Sequence, residues 1–410
     1  MPPSRCLGIG FIGAGFITRF HIQALASVRN AGVAAIMSPT RERVESAAGL
    51  ARQLGVGEPR IYGSVTDIAR DPSVDAVWIC SPNDTHLPVT EEVMAAVKAG
   101  AELVGIACEK PLARNLLEAR RMLDLVKTTG LLHGYLENQV FAPDITRGKE
   151  IIWRRGAANA GRPYLARASE EHSGPHMPWF WDGKRQGGGV LNDMLCHSFE
   201  AARFLLTAPG RPRSSLKVEE VSAQIASLKW RKTRYAEELR KTSGVDYIRH
   251  PAEDFARATI KLQADNEPVI IEATTSWGFV GPGLRLRMEL LGAEYSMTYD
   301  SLSSGLSIFL SRRVAGAEGE DLIEKQNAEQ GLMPVIADEA GAYGYVNEDR
   351  HMVNAFLSGH QPDEDWEDGV AVMEVLMACY MSAEQGSVVR FPEPALERFT
   401  PAVATGTWHG

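Results

Sequence analysis

Three groups of residues in this chain have the types and the spacing to do chemistry. The first is Gly13-Ala14-Gly15, which follows the apolar run LGIGFI and precedes a helical pattern that starts at Phe16. Strand, glycine turn and helix N-terminus together make an anion cradle. Gly13 permits the tight turn, Gly15 lets the backbone approach a pyrophosphate, and Phe16 and Ile17 open the helix whose N-terminus faces it. The literal G-x-G-x-x-G at Gly8, Gly10 and Gly13 is the wrong register, because it leaves only PSRCL for the strand that must come first. In the better register the third small position falls on Thr18, a departure expected to loosen helix–strand packing slightly. The second group, Glu109-Lys110-Pro111, puts a lysine at the carboxyl end of a parallel strand, the edge where open α/β sheets take ligands. Pro111 fixes φ there and removes a backbone donor. A surface lysine at a helix start is the plainer alternative. The third group is Gly187-Gly188-Gly189 followed by Asp193 and His197. Acid and imidazole four apart on a helix project from one face. The pair suits acid–base work, although a purely local Asp–His hydrogen bond has the same spacing.

Two further segments bear on what would bind. After the second strand the chain reads Met37-Ser38-Pro39-Thr40-Arg41, with no acid to hold the adenosine ribose 2′-OH. Ser38 and Thr40 can donate hydrogen bonds and Arg41 can pair with a phosphate, which favours NADP(H) over NAD(H). The loop from His172 to Trp181 carries His176, Trp179, Phe180 and Trp181. Its aromatic rings either stack on the C–H faces of a pyranose or pack into the protein. His176, Trp179 and Trp181 are therefore candidate substrate contacts, whereas Trp277, inside a strand pattern, reads as core.

The elements that must position these groups follow a clear rhythm through about residue 135. Strand patterns at 7–12, 33–37, 74–80, 103–107 and 131–135 alternate with helical ones at 16–26, 41–54, 89–99 and 116–127. Such alternation predicts βαβ units and a doubly wound parallel sheet covered on both faces. The runs VDAVWIC and LVGIAC are apolar on both parities, as strands buried on both sides are. Beyond residue 140 the rhythm changes. A helix at 144–154, a strand at 164–168 and a helix at 191–206 precede long strand patterns at 218–229, 255–262, 269–277, 284–291 and 295–299, which predict an α+β domain with a large open, mainly antiparallel sheet. The polar stretch 231–253 reads as an excursion from that sheet. Helices at 339–357 and 367–384 close the fold, and the Pro-rich tail from Phe391 reads as irregular. The domains expected are residues 1–138, binding NAD(P), and 139–410, binding substrate and carrying subunit contacts.

The four segments Gly13–Gly15, Ser81-Pro82-Asn83-Asp84-Thr85-His86, Glu109-Lys110-Pro111 and GGGVLNDMLCH at 187–197, with a late SAE at 382–384, resemble in order and spacing the Gfo/Idh/MocA family of glucose–fructose oxidoreductase and inositol dehydrogenase relatives. The resemblance implies a Rossmann domain followed by an α/β domain with a large open sheet. It also implies a sugar, glycoside or cyclitol substrate and a nicotinamide hydride carrier. Carried over, Lys110 matches the family's EKP lysine, Asp193 and His197 its D-x-x-x-H pair, and Ser81, Asn83 and His86 the turn near the nicotinamide; Glu109 falls with them in the cofactor site. Glu200 stands where relatives often have an acid. In place of a frequent Arg-Phe pair the chain reads Glu137-Asn138-Gln139-Val140-Phe141, which makes Asn138 a substrate candidate and points to an uncommon substrate. Oxidation of a secondary alcohol needs a base for the hydroxyl proton. His197, with an ordinary pKa of about 6.5, fits that role. Asp193 would orient it, and Lys110 would polarise the carbonyl oxygen of the ketone form. With Lys110 as the base instead, its pKa of about 10.4 would have to fall. Two other readings stay open: a lyase or glycoside hydrolase that recycles its nicotinamide, and a sensor without turnover, against which Lys110, Asp193 and His197 together argue.

Bulk properties exclude other classes. The 410 residues, 44% hydrophobic and 23% charged, exceed one comfortable core. A net charge of −9 without a basic run disfavours nucleic acid and anionic membrane, and no apolar stretch of about 18 residues is present to span a bilayer. The start MPPSRC lacks a signal-peptide pattern, so a cytoplasmic protein is expected. Five scattered cysteines fit neither a disulfide framework nor a zinc knuckle, and no metal is expected. A large sheet with one bare apolar face would pair, so a homo-oligomer, dimer or tetramer, is expected.

Overall fold

In the computed structural model the residues described are 6–281, 283–303, 307–310, 331–334 and 338–410. Up to Leu136 the chain alternates strands with helices: β1 (Leu7–Ile12), α1 (Phe16–Leu25), β2 (Ala31–Met37), α2 (Arg41–Gln53), β3 (Arg60–Tyr62), α3 (Val65–Ala69), β4 (Ala76–Ile79), α4 (His86–Lys98), β5 (Gly105–Glu109), α5 (Leu116–Lys127) and β6 (Leu132–Leu136). The strands form one parallel sheet in the order β3-β2-β1-β4-β5-β6. That is the doubly wound order with its switch point between β1 and β4, where ligands of such sheets sit. Every residue of β4 and β5 is buried, as their unbroken apolar runs require. β3 and α3 escaped the sequence reading because β3 has only three residues, two of them exposed, and offers no apolar run.

The described residues divide into two compact units, 1–143 with 340–373, and 144–339 with 374–410. Residues 340–373 thus cluster with the N-terminal stretch, although the sequence rhythm groups everything after residue 138 together. The helix Tyr345–Ser358 returns to the first unit because Met352, Val353 and Phe356 complete its core with Ile9, Phe11, Trp78 and Ala107. Two strand glycines admit it: a Cβ on Gly105 would lie 2.8 Å from the Phe356 ring, and one on Gly134 would lie 2.5 Å from Met352 Sδ. Trp366, the first residue of the helix Trp366–Gln385, is also fully buried, its Nε1 donating to Gly134 O at 2.9 Å.

The second unit is built on a seven-stranded sheet of β7 (Leu165–Glu171), β8 (Lys217–Ala226), β9 (Phe255–Ala264), β10 (Glu267–Ser276), β11 (Arg285–Gly292), β12 (Tyr295–Asp300) and, beyond a two-stranded hairpin of β13 (Ser307–Leu310) and β14 (Gly331–Pro334), β15 (Val389–Arg390). The order is β12-β11-β7-β10-β9-β8-β15, antiparallel except for the β7–β10 pair. Period-2 alternation sends Ala166, Ala168, Ala258, Ile260, Ile271, Ala273, Leu286 and Met288 inward, and the helix Cys196–Leu206 packs on β7, β10 and β11. The opposite face differs from the apolar one expected. It carries crossed ion pairs, Arg167 with Glu272 and Glu289, Arg287 with Glu289, and Lys261 with Glu219. The excursion 231–253 contains the helix Thr233–Ser243. It is anchored by Asp254, whose carboxylate accepts the backbone N–H groups of Leu228, Lys229 and Trp230 at 2.7–2.8 Å. The tail forms the short helices Pro394–Arg398 and Ala402–Thr405. No helix among the described residues is long and apolar enough to cross a membrane.

Phe356→Ala leaves a cavity against Trp78, whose ring meets Phe356 edge-on at 5.6 Å, and should cost about 3–5 kcal/mol in urea denaturation. A loss under about 1 kcal/mol would show that this helix contributes little to the core.

Candidate active site

The glycine turn forms as its sequence dictates. Gly13 has φ +116°, and a Cβ there would fall 2.2 Å from Cys80 O, so only glycine fits between the ends of β1 and β4. Gly15 faces open space and is the N-cap of α1, with no side chain capping the helix. Phe16 and Ile17 open this helix, and a helix N-terminus is where an anionic group is favoured. The open space at Gly15 is the clearance that a dinucleotide pyrophosphate needs. Gly8 and Gly10 sit inside β1, each crowded by residues 73–74. Thr18 tightens the turn rather than loosening it: fully buried, its hydroxyl donates to Gly13 O at 3.1 Å.

At the end of β2, Ser38 Oγ accepts the Thr40 N–H at 3.4 Å, and Arg41, largely exposed, pairs with Glu45 at 2.7 Å. No carboxylate belongs to Met37–Arg41. Beyond β4, Ser81 and Thr85 share a hydrogen bond of 2.6 Å, and Asn83 is buried. His86 is completely buried, with Nε2 2.8 Å from Ser81 O and Nδ1 3.1 Å from Leu112 O. It ties the turn after β4 to the segment after Lys110, and burial lowers its pKa below the ordinary histidine value. His86 is a brace between two loops, a role that its position beside Asn83 does not announce. Lys110 sits half-buried just past β5, and its backbone N–H donates to Glu109 Oε2 at 3.1 Å. Glu109 itself is buried, with Oε1 2.9 Å from Nε2 of His21, so its carboxylate is engaged within the protein rather than free for a cofactor. Asn138 is buried and donates from Nδ2 to Tyr343 O at 2.8 Å. Donor atoms of His21, Glu348 and Asp349 lie within 4.8 Å of one another, close enough for a metal. Both His21 ring nitrogens, however, already face carboxylates, which leaves no lone pair for an ion.

In the second unit the Gly187–Gly189 motif has a steric cause. A Cβ on Gly188 would lie 1.9 Å from Tyr380 Oη, and one on Gly189 would lie 2.5 Å from Glu253 O. Glu253 Oε1 accepts the N–H groups of Gly189 and Leu191 and the hydroxyl of Tyr380, at 2.9, 3.1 and 2.6 Å. The Tyr380 oxygen in turn accepts the N–H groups of Gly189 and Asn192. Together they satisfy the backbone donors that open the segment carrying the acid–base pair. That segment is a wide π turn over Leu191–Leu195 that runs into the helix Cys196–Leu206, a local widening often found where a side chain must be aimed. Asp193 Oδ2 accepts Trp277 Nε1 at 3.2 Å, and His197 Nε2 lies 3.9 Å from Glu170 Oε2. All four side chains are buried. Glu170 was not anticipated. Its signal was legible, since it shares the inward parity of Ala166 and Ala168 on β7, where a carboxylate has no business unless it has a partner.

The aromatic loop separates into two kinds of residue. His176 is exposed, and Trp179 stacks on Phe180 at 3.8 Å with both rings partly exposed. Trp181 is 3% exposed and meets Trp230, Tyr247 and Trp277 edge-on, so its ring belongs to the core and not to a sugar-stacking surface. Glu200 is also structural: it is fully buried between Arg203 and Arg213 at 2.6 and 2.8 Å.

Burial raises the Glu253 pKa to about 7, against hydrogen bonds from Tyr380, Leu191 and Gly189 that lower it. A carboxyl whose folded pKa lies above its unfolded value stabilises the fold most below the ordinary carboxylate range. That contribution is lost as pH rises through about 7. The stability of the wild type relative to Glu253→Gln should therefore fall between about pH 5 and pH 8, by up to about 3 kcal/mol. A pH-independent difference in denaturant midpoints would contradict the burial of an ionisable group here.

Two sequence models of one family match the chain. The oxidoreductase-family NAD-binding Rossmann fold matches residues 7–135, and the family's C-terminal domain matches residues 157–298. Among curated proteins, the chain is 30% identical to myo-inositol 2-dehydrogenase of Thermotoga maritima over 48% of its own length and 54% of that protein. It is 31% identical to 1,5-anhydro-D-fructose reductase of Ensifer adhaerens over 48% and 56%, and 30% identical to levoglucosan dehydrogenase of Pseudarthrobacter phenanthrenivorans over 49% and 51%. The chain thus spans about half the length of the curated relatives it matches. Among solved structures, GenD2 from gentamicin A biosynthesis, in complex with NAD, superposes with a TM-score of 0.76 at 24% identity over 95% of this chain and 97% of that one. Levoglucosan dehydrogenase with NADH and levoglucosan gives 0.70 at 21% identity over 95% and 100%; both likenesses are of fold. With its NAD-binding Rossmann fold and its separate, mostly antiparallel sheet, the chain belongs to the Gfo/Idh/MocA oxidoreductase family.

Proposed function

We propose that this protein is an NAD(P)-dependent dehydrogenase or reductase acting on a secondary alcohol or ketone of a sugar, glycoside or cyclitol. The observation that carries the reading is the Asp193–His197 segment. A carboxylate on the π turn and an imidazole in the first turn of the helix that follows are both buried; Glu253 and Tyr380 fix the backbone at the start of the segment, and Trp277 and Glu170 lie against the two side chains. An acid–base pair that serves no purpose rarely receives so many supports. The relatives named as acting on inositol, anhydrofructose and levoglucosan agree on the substrate class.

In the chemistry proposed, His197 takes the hydroxyl proton of the substrate, Glu170 steadies the imidazolium that results, and Asp193 binds a neighbouring hydroxyl or orients the ring. Lys110 donates to the substrate oxygen and favours the charge that builds there as the C–H bond breaks. Gly13, Gly15, Phe16 and Ile17 hold the dinucleotide phosphates, with Ser38 at the adenosine ribose and Ser81 and Asn83 at the turn after β4. Bound there, a nicotinamide supplies the hydride acceptor or donor. The missing acid after β2 favours NADP(H), with Ser38 and Thr40 as donors to a 2′-phosphate; the pairing of Arg41 with Glu45 leaves its guanidinium only partly available. Trp179 and its neighbour Phe180, both partly exposed, would meet the sugar, in a protein of the cytoplasm.

A panel of inositols, glucose, anhydrosugars and simple glycosides, followed at 340 nm with NAD⁺ and NADP⁺, tests the reading. Lys110→Ala and His197→Ala should each lower kcat by about 10²-fold or more. Turnover in the wild type that both variants retain would remove these residues from the mechanism. On the coenzyme side, Ser38→Asp should move the ratio of kcat/KM for NADP⁺ over NAD⁺ down at least about tenfold, through repulsion of the 2′-phosphate. An unmoved ratio would place the adenosine ribose elsewhere.

A further inference from the structure

The Rossmann unit contains a buried ion cluster of which only Glu109 belongs to a sequence motif and which the proposed chemistry does not use. His21 lies on the inward face of α1, which begins at the phosphate cradle, and is fully buried. Its Nδ1 is 2.9 Å from Asp349 Oδ1, and its Nε2 is 2.9 Å from Glu109 Oε1. An ionised carboxylate only accepts, so both ring nitrogens carry hydrogen and the ring is an imidazolium. Burial alone would drive the proton off. The charge of Asp349, with hydrogen bonds to Asp349 and Glu109, outweighs that and holds the His21 pKa well above the ordinary value. Trp78 Nε1 donates to the same Asp349 oxygen at 3.2 Å. The neighbouring Glu348 is fully buried, its carboxyl oxygens have no hydrogen-bond partner, and burial raises its pKa well above the ordinary carboxyl value.

One cation thus lies between two anions, and the second anion leads to the substrate-binding lysine. Glu109 uses one oxygen for His21 and the other for the backbone N–H of Lys110, at 2.9 and 3.1 Å. We propose that His21, clamped between Asp349 and Glu109, is a positioning residue for Lys110: it fixes the Glu109 carboxylate, and that carboxylate fixes the Lys110 peptide at the end of β5. The proposal rests on Lys110 as the group that touches substrate. It differs from simple core packing because it assigns the effect to charge and hydrogen bonding, not to volume. Asp349→Asn keeps the shape and the acceptor for Trp78 and His21 but removes one negative charge. The imidazolium then loses its stronger anchor, and Glu109 is left to share it with solvent-free surroundings.

The test uses the full chain and three variants, Asp349→Asn, His21→Phe and, as the mildest, Trp78→Phe. Two readouts are compared. Competitive acetylation with mass spectrometry follows Lys110 reactivity against pH, with the other lysines as internal standards and no turnover needed. Steady-state kinetics on the best polyol then separate kcat from KM, with coenzyme Kd measured by titration calorimetry. The proposal expects the Lys110 reactivity profile to shift by about one pH unit, a tenfold change in reactivity at fixed pH. The other lysines and the coenzyme Kd stay within about threefold, and kcat falls at least about tenfold with little change in KM. If His21→Phe fails to fold, the two milder variants carry the comparison. Loss of thermal stability with Lys110 reactivity and kcat unchanged would overturn the proposal and leave His21 as core packing. Should the wild type turn over no polyol, the acetylation profile still decides the positioning claim, and the failure falls on the proposed function instead.

Discussion

A carboxylate removed from water must find donors, and both units of this chain are organised by that requirement. In the first, Glu109 ends β5 and is satisfied by His21 and by the peptide of the residue that follows it. In the second, Glu253 meets two backbone amides and the Tyr380 hydroxyl at the start of the segment that carries Asp193 and His197. Leaving either acid unpartnered would cost far more than a typical hydrogen bond contributes. The surrounding geometry is therefore narrowly determined: glycine at 188 and 189, where Tyr380 and Glu253 come close, and a histidine on the inner face of α1. Residues that look like local motif are in this sense the shadow of distant buried charge.

Much of this was legible in the sequence, for identifiable reasons. β1 and α5 fall where the periodicity puts them, and the register that sets Gly8 and Gly10 inside β1 is the one the structure adopts, because a strand needs its full length before the turn. Parallel strands buried on both faces advertise themselves as unbroken apolar runs, as β4 and β5 did. The antiparallel sheet was equally clear from alternation. Its outward face was not: the ion pairs of Arg167 and Arg287 answer in three dimensions a surface that strand order alone left apparently bare.

What escaped depends on contacts across long separations. Asp349 reaches His21 over 328 positions, and Tyr380 reaches Gly189 over 191. No window-based reading joins them. Even so, His21, Glu348, Asp349 and Glu170 each stand on the inward parity of an apolar face, and a charged residue in such a place is a question the sequence asks without answering. Trp181 shows the converse. Placed in a loop between His176 and the glycine motif, it looked available to a sugar, yet a loop can send one ring inward while its neighbours stay partly exposed.

The central proposal is that His197, supported by Asp193, takes the hydroxyl proton of the substrate while hydride leaves the carbinol carbon for a nicotinamide. Isotope transfer tests it most directly. Polyols from the inositol and anhydrosugar classes, carrying deuterium on each carbinol carbon, are incubated with the protein and NAD⁺ or NADP⁺, and coenzyme and product are examined by mass spectrometry. The account predicts one deuterium in the reduced coenzyme for each ketone formed. Deuterium retained in a cleaved or eliminated product, with the coenzyme unlabelled at the end, would contradict net oxidation.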